Sequence, residues 1–172
     1  MITTTLNAIR AQHPCEDGWK RLLIDLGKTK ADDEPLPLVS ILDSNGIDDA
    51  SWCLRAVEGF DKEKRLFAVW CARQVQHLMK DHRSIAALDV AERFANGLAS
   101  QEELEAAWAA ADAVVDDAAD AAAYAAYYAA RTASAASAAR ADVYTVHCAA
   151  DAVAHCATRA ASEVEKFKEI FG

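Results

Sequence analysis

The chain contains neither glycine nor proline, the residues that most often end a helix, from Ser100 to Phe171. Alanine fills much of this stretch, because 28 of the 40 alanines lie between Ala106 and Ala161. Since alanine is the strongest helix former, the stretch predicts long helices and excludes a sheet with frequent turns. Ser100 and Glu103 form a capping box at its start, in which each side chain accepts a hydrogen bond from a backbone N–H group.

One helix over this whole stretch would leave its alanine face exposed to water. The segment 132–137 is locally weaker in helix propensity. We therefore expect an antiparallel pair of helices at about 101–131 and 138–170. The predicted fold class is all-α, with a compact helical module over 1–100 and an alanine-rich helical hairpin over 101–172, packed together as one folding unit.

Short breaks separate the helices predicted for the N-terminal module. Apolar residues recur there at helical spacing, and glycine, asparagine and proline interrupt the pattern. The segment 36–42 could be a helical turn or a strand, and Asp48 or Asp49, together with Ser84, are the expected caps of later helices. The pattern predicts helices at about 5–11, 17–26, 49–58, 62–80 and 85–95.

The charge balance and the cysteines limit the class of protein. The chain has 27 acidic and 18 basic side chains, a formal net charge of −9, which argues against direct binding to nucleic acid or to an anionic membrane. No apolar run reaches the roughly 18 residues of a membrane span, and the first residues do not resemble a secretory signal. Five cysteines without a Cys-x-x-Cys pair favour reduced thiols. We expect a cytoplasmic protein without a cofactor.

A cluster of potential metal ligands lies near the C-terminus, at His147, Cys148, Asp151, His155 and Cys156. Imidazole and thiolate suit zinc or copper. Residues eight apart lie about 12 Å apart along a helix, so one ion cannot bind both histidines, and a closed site would need His77 or Cys71 from another helix. We expect no metal site, and a metal or redox sensor using residues 147–156 is a further alternative. No recognised nucleophile or phosphate-binding motif occurs, so we expect no enzyme activity.

The first alanine-rich helix carries negative charge alone, since no lysine or arginine lies between Phe94 and Ala130. At 100° per residue, five carboxylates form one acidic stripe, which consists of Glu102, Glu105, Asp112, Asp116 and Asp120. Leu104, Trp108, Ala111 and Val115 lie opposite and are expected to face the module. Because like charges repel along a helix, the stripe either meets a basic partner or is a solvated face that keeps the helix soluble.

Three tyrosines continue on the same broad side of this helix: Tyr124, Tyr127 and Tyr128. Tyrosine is enriched at protein interfaces because it adds contact area at low entropic cost. The tyrosines are therefore candidate interface anchors. Alternatively, they pack on the returning helix 138–170 and fill space that alanine leaves.

Several segments in the middle of the chain match a known pattern: Ile41–Ala50, Trp52–Ala56, Arg65–Arg73, Gln76–Met79 and Ala86–Arg93. They resemble the immunity-protein family related to class five of bacterial polymorphic toxin systems, which also occurs in phage. The resemblance covers about residues 37–110, and the tail only by composition. It implies an all-α protein that neutralises a toxin by binding it, with nuclease toxins among the partners, and it carries over no catalytic residue.

The leading hypothesis is a non-catalytic inhibitory protein of the immunity type, which binds one protein partner with a basic surface. An alternative is a phage-encoded inhibitor of a host defence nuclease complex, similar to an anti-CRISPR protein. The partner could instead contact the N-terminal module around Arg55, His82 and Arg83. A homo-oligomer also remains open, whereas nucleic-acid and membrane partners are not expected.

Overall fold

The computed structural model of the chain describes residues 1–115 and 157–172. Within these ranges the chain forms eight α-helices, two short 3-10 turns and one two-stranded sheet, which confirms the all-α class. The helices are α1 Leu6–Ala11, α2 Glu16–Asp25, α3 Leu38–Asn45, α4 Ile47–Cys53, α5 Asp61–Gln74, α6 His82–Ala95, α7 Gln101–Val115 and α8 Ala157–Phe171. None of the helices in the described ranges is long and apolar enough to cross a membrane.

The contacts between residues divide the chain into two compact units. The first unit comprises Met1–Phe60 together with Thr158–Gly172, and the second comprises Asp61–Ala157. The predicted hairpin, and with it the boundary predicted at residue 100, depends on residues 116–156. Those residues lie outside the described part of the chain, so both stay predictions.

The first unit is organised around the small antiparallel sheet. Strand β1 (Thr3–Thr4) pairs with β2 (Leu36–Pro37). Ile2, directly before β1, makes two further backbone hydrogen bonds. Its N–H donates to the Phe171 carbonyl at 3.1 Å, and its carbonyl accepts from the Leu38 N–H at 3.1 Å. The core of this unit consists of large side chains that are almost completely buried: Leu6, Ile9, Leu38, Ile41, Leu54, Phe167 and Phe171.

The segment 36–42, predicted as either a helical turn or a strand, contains both a short strand and the start of a helix. β2 occupies its first two residues, and α3 begins directly afterwards at Leu38. Pro37 precedes the helix with an extended backbone, which is the conformation that permits entry into the first turn. Leu38, Ile41 and Leu42 then lie on one buried face at helical spacing.

The second unit packs α5 against α6, and α6 against α7. Between α5 and α6, the Arg73 guanidinium donates to Asp89 Oδ1 and Glu92 Oε2 at 2.7 Å each, and to Gln76 Oε1 at 2.8 Å. Between α6 and α7 the contact includes two small side chains that are fully buried, Ala87 and Ala111, with Ala107 and the larger Trp108 packed beside them. Alanine side chains let two helix axes approach closely, which gains dispersion contact where little apolar area is available.

The predicted helix starts are partly correct. Thr5 caps α1, because its hydroxyl oxygen accepts from the Ala8 N–H at 3.0 Å. The predicted cap at Ser84 is wrong, since α6 begins at His82 after Asp81, and Ser84 is buried inside the helix. The caps predicted at Asp48 or Asp49 are also wrong, because α4 begins directly after Gly46.

The helix predicted over 62–80 is shorter in the structure. It ends at Gln74 and is followed by a 3-10 turn over Gln76–Leu78. Cys71, one of the two residues named as a possible further ligand of a closed metal site, is completely buried in α5.

Candidate partner-binding surface

The structure describes three residues of the acidic stripe. Glu102, Glu105 and Asp112 lie on α7, and all three are exposed. The other predicted interface residues lie outside the described part of the chain: Asp116, Asp120, Tyr124, Tyr127 and Tyr128. The His/Cys cluster at 147–156 lies outside it as well.

Three of the four residues predicted on the opposite side of α7 are buried or partly buried, and the side chain of the fourth, Val115, lies outside what the structure describes. Leu104 and Ala111 have no exposed surface, and Trp108 is partly buried against α6. The helix therefore has a fixed rotation about its axis, in which the apolar face packs on α6 and the carboxylates face outward. A rotation of α7 about its axis would expose the Leu104 side chain to water, and the free-energy cost of this exposure opposes the rotation.

The start of α7 is fixed by the predicted capping box. The Glu103 carboxylate accepts from the Ser100 N–H at 2.8 Å, and the Ser100 hydroxyl oxygen accepts from the Glu103 N–H at 3.2 Å. Arg93 of α6 also donates to Glu103 Oε1 at 3.2 Å. These contacts hold the pKa of Glu103 below its usual value. The hydrogen bond from the Ser100 N–H has the largest effect, and the hydrogen bond from Arg93 has the next largest.

The outward carboxylates are weakly compensated. Among the described residues, Glu102 and Asp112 form no ion pair, and Glu105 accepts only a neutral hydrogen bond from the Gln101 amide at 2.9 Å. Glu102 lies in the first turn, where the helix dipole favours a negative charge. This effect is confined to the first turn, so it does not account for Asp112. Solvation or a basic partner remains as the reason for that charge.

The turn between α6 and α7 is built as a complete Schellman motif, the arrangement in which the last helical carbonyls accept from the residues after the helix. Gly97, at φ 73°, donates to the Phe94 carbonyl at 2.9 Å, and the Leu98 N–H donates to the Arg93 carbonyl at 2.8 Å. The Arg93 guanidinium then donates back to the Leu98 carbonyl at 3.0 Å. Leu98 is nevertheless 69% exposed.

In the sequence, Asn96 and Gly97 directly follow the helix predicted at about 85–95 and indicate its end, and Leu98 is not among the predicted interface residues. The signal was present, because the residue after the glycine of a Schellman motif is normally apolar and packs on the preceding helix. Only the structure shows that this residue points into solvent.

The residues proposed as the alternative contact are engaged locally. In the first unit, the Arg55 guanidinium lies over the Trp52 ring at 4.6 Å and donates to the Trp52 carbonyl at 3.2 Å. In the second unit, Arg83 forms an ion pair with Asp81 at 2.8 Å. His82 is exposed. Both arginines therefore use their guanidinium groups within the protein, which makes them weaker candidates for a partner than Glu102, Glu105 and Asp112, which form no ion pair among the described residues.

Of the three described cysteines, Cys15 is exposed, whereas Cys53 and Cys71 are buried. Burial raises the pKa of the Cys53 thiol to about 12, so that this thiol stays protonated, and Cys71 is also buried. Within residues 1–115 and 157–172 no three histidine, cysteine or acidic side chains are grouped to hold a metal ion.

Comparison of the chain with protein-family models, with curated proteins and with solved structures finds no match. The resemblance to the immunity-protein family therefore stays an expectation from the residues that carry it.

Proposed function

We propose that the protein is a non-catalytic inhibitor of the immunity type, which neutralises a bacterial toxin or nuclease by direct contact with a basic surface of that protein. The observation that carries the proposal is the exposed acidic face of α7, whose described carboxylates Glu102, Glu105 and Asp112 form no ion pair and which the packing of Leu104 and Ala111 holds in one orientation. A fixed array of like charges is the arrangement that steers an oppositely charged protein into register.

The spacing of the charges favours steering over imitation of nucleic acid. Glu102, Glu105 and Asp112 occupy about 15 Å of helix at the ordinary rise of 1.5 Å per residue. A DNA duplex presents one charge about every 1.7 Å, hence about nine over the same length. The described face therefore carries about a third of the charge density of a duplex. Steering of a basic protein surface requires no such density.

The decisive experiment compares two charge reversals of equal size. The test variant is Glu105→Lys with Asp112→Lys, and the matched control is Asp25→Lys with Glu165→Lys. All four residues are exposed, and both variants raise the net charge equally, so that a general effect of charge appears in both. The protein is first used to capture its partner from the source cells, and the captured protein is identified and purified.

We expect the parent protein and the control variant to inhibit the captured toxin or nuclease at equimolar concentration. The test variant should associate about tenfold more slowly at low salt, because rim charges act mainly on the association rate. This difference should shrink as salt is added, since screening acts over about 8 Å at physiological ionic strength. If the test variant inhibits as well as the parent at low salt, the acidic face is only a solvated surface.

A further inference from the structure

Leu98 is displayed by a turn that cannot easily move. Its N–H and its carbonyl are both hydrogen-bonded to Arg93, at 2.8 Å through the Arg93 backbone and at 3.0 Å through the guanidinium. The same guanidinium nitrogen reaches Glu103 at 3.2 Å. The turn is therefore tied to the last turn of α6 and to the first turn of α7 at once.

The exposure of Leu98 follows from the residue that it would normally contact. In a Schellman motif the apolar residue after the glycine usually packs on the residue that accepts its N–H. Here that residue is Arg93, whose side chain reaches toward Glu103 and the Leu98 carbonyl instead. The apolar side chain consequently remains 69% exposed, four residues before Glu102, the first carboxylate of the acidic stripe.

We propose that Leu98 is the apolar anchor of the partner-binding surface, and that the partner is a protein with an apolar pocket bordered by lysine or arginine. This inference rests on the proposed function, because it takes the acidic face of α7 as the rim of the same interface. Protein interfaces commonly place an apolar centre inside a polar rim. The glutamates that follow Leu98 at the start of α7 are Glu102, Glu103 and Glu105. Charge complementarity therefore requires a positively charged rim around the apolar pocket of the partner.

A second copy of the chain is a poorer occupant than a basic protein. Each copy carries a formal net charge of −9. Two such chains repel each other over long range, and an acidic rim on both partners would oppose docking further.

The test uses two synthetic peptides of the same length with equal numbers of lysines, one with leucines and the other with serines between them. Binding to the parent protein is measured by fluorescence anisotropy. We expect the leucine peptide to bind about tenfold more tightly, as burial of one exposed leucine against an apolar probe predicts. Leu98→Ser should remove this preference without lowering the melting temperature. Ile24→Ser is the matched control, because Ile24 is 79% exposed on α2 of the first unit.

The outcomes separate this inference from the proposed function. If Glu105→Lys with Asp112→Lys weakens both peptides while Leu98→Ser keeps the preference for leucine, the anchor is wrong and the acidic interface stands. If the charge reversal changes neither peptide, the proposed function fails. A preference that disappears in Ile24→Ser but not in Leu98→Ser also overturns the anchor. So does a dimer of the parent in sedimentation equilibrium that Leu98→Ser dissociates, because the occupant would then be a second copy.

Discussion

The core of the first unit and the contact between α6 and α7 in the second unit bury side chains of different size. In the first unit, large side chains such as Leu38, Ile41 and Phe171 fill the core around β1 and β2. In the second unit, α6 and α7 meet through Ala87 and Ala111. Large side chains stabilise mainly by removing apolar area from water, whereas small ones stabilise by letting backbones approach closely. A core of the first kind is sensitive to loss of volume, and one of the second kind to gain of volume.

Arginine side chains also join the helices of the second unit to one another. Arg73 ties α5 to α6, and Arg93 ties the end of α6 to the start of α7. Each of these arginines donates to two or more acceptors, which holds its planar guanidinium in one orientation. The comparison indicates that alanine brings the helices together and arginine sets their relative position.

The largest expected effect is loss of volume in the first unit. Phe171→Ala removes a completely buried ring that packs on Phe167 with centroids 4.7 Å apart. We expect a loss of about 3–5 kcal/mol in the free energy of unfolding, measured by urea denaturation. Phe171→Leu should lose less, and Ile24→Ala, at an exposed position, should stay within about 0.5 kcal/mol. A loss below about 1 kcal/mol for Phe171→Ala would contradict the first half of the comparison.

A smaller effect is expected from gain of volume in the second unit. Ala111→Leu inserts three carbon atoms into the contact with α6, where Ala111 has no exposed surface. Overpacking of this kind costs typically about 1–3 kcal/mol. Ala109→Leu is the control, since it makes the same change at an exposed position of the same helix. Equal stability of the two variants would show that the space between α6 and α7 can accommodate a larger side chain. Close approach of the two helices would then not be what stabilises their contact.

The smallest effect concerns the polar fixation of α7 and depends on pH. Because the Ser100 N–H and Arg93 lower the pKa of Glu103 in the folded protein, this carboxylate stabilises the fold above its unfolded pKa of about 4.3. The contribution is lost as pH falls through the lowered pKa. We expect urea midpoints of the parent to fall more between pH 6 and pH 3 than those of Glu103→Gln. Glu102→Gln, also in the first turn, serves as control, and identical pH profiles for the parent and Glu103→Gln would contradict the assignment.

The sequence predicts best the features that short segments determine. The capping box of Ser100 and Glu103 and the rotation of α7 follow from residues within a few turns of one another, and both are confirmed. Where several polar residues compete for one role, the local pattern is insufficient. Asp81 caps α6 in place of Ser84, and Asp49 uses its carboxylate to accept from the Asn45 amide at 2.7 Å rather than to cap α4.

Contacts between distant residues could not be predicted in this way. Lys64 has a charged side chain, for which a position on the surface is expected, yet it is completely buried, and burial lowers its pKa. The contact of Ile2 with Phe171 joins residues at opposite ends of the chain, and no periodicity reports it. For the candidate site, the acidic stripe was visible as a charge pattern, whereas the exposure of Leu98 depends on where Arg93 places its guanidinium.

The bond between Ile2 and Phe171 has a consequence for the order of synthesis. A ribosome synthesises residues 1–60 first and adds Phe167 and Phe171 only roughly 5–20 s later, at the usual rate of elongation. Until then the core of the first unit lacks two of its buried aromatic rings. We therefore expect the first unit to complete its fold only after translation of α8. During this delay the nascent chain exposes apolar surface, which makes it a substrate for chaperones and vulnerable to aggregation.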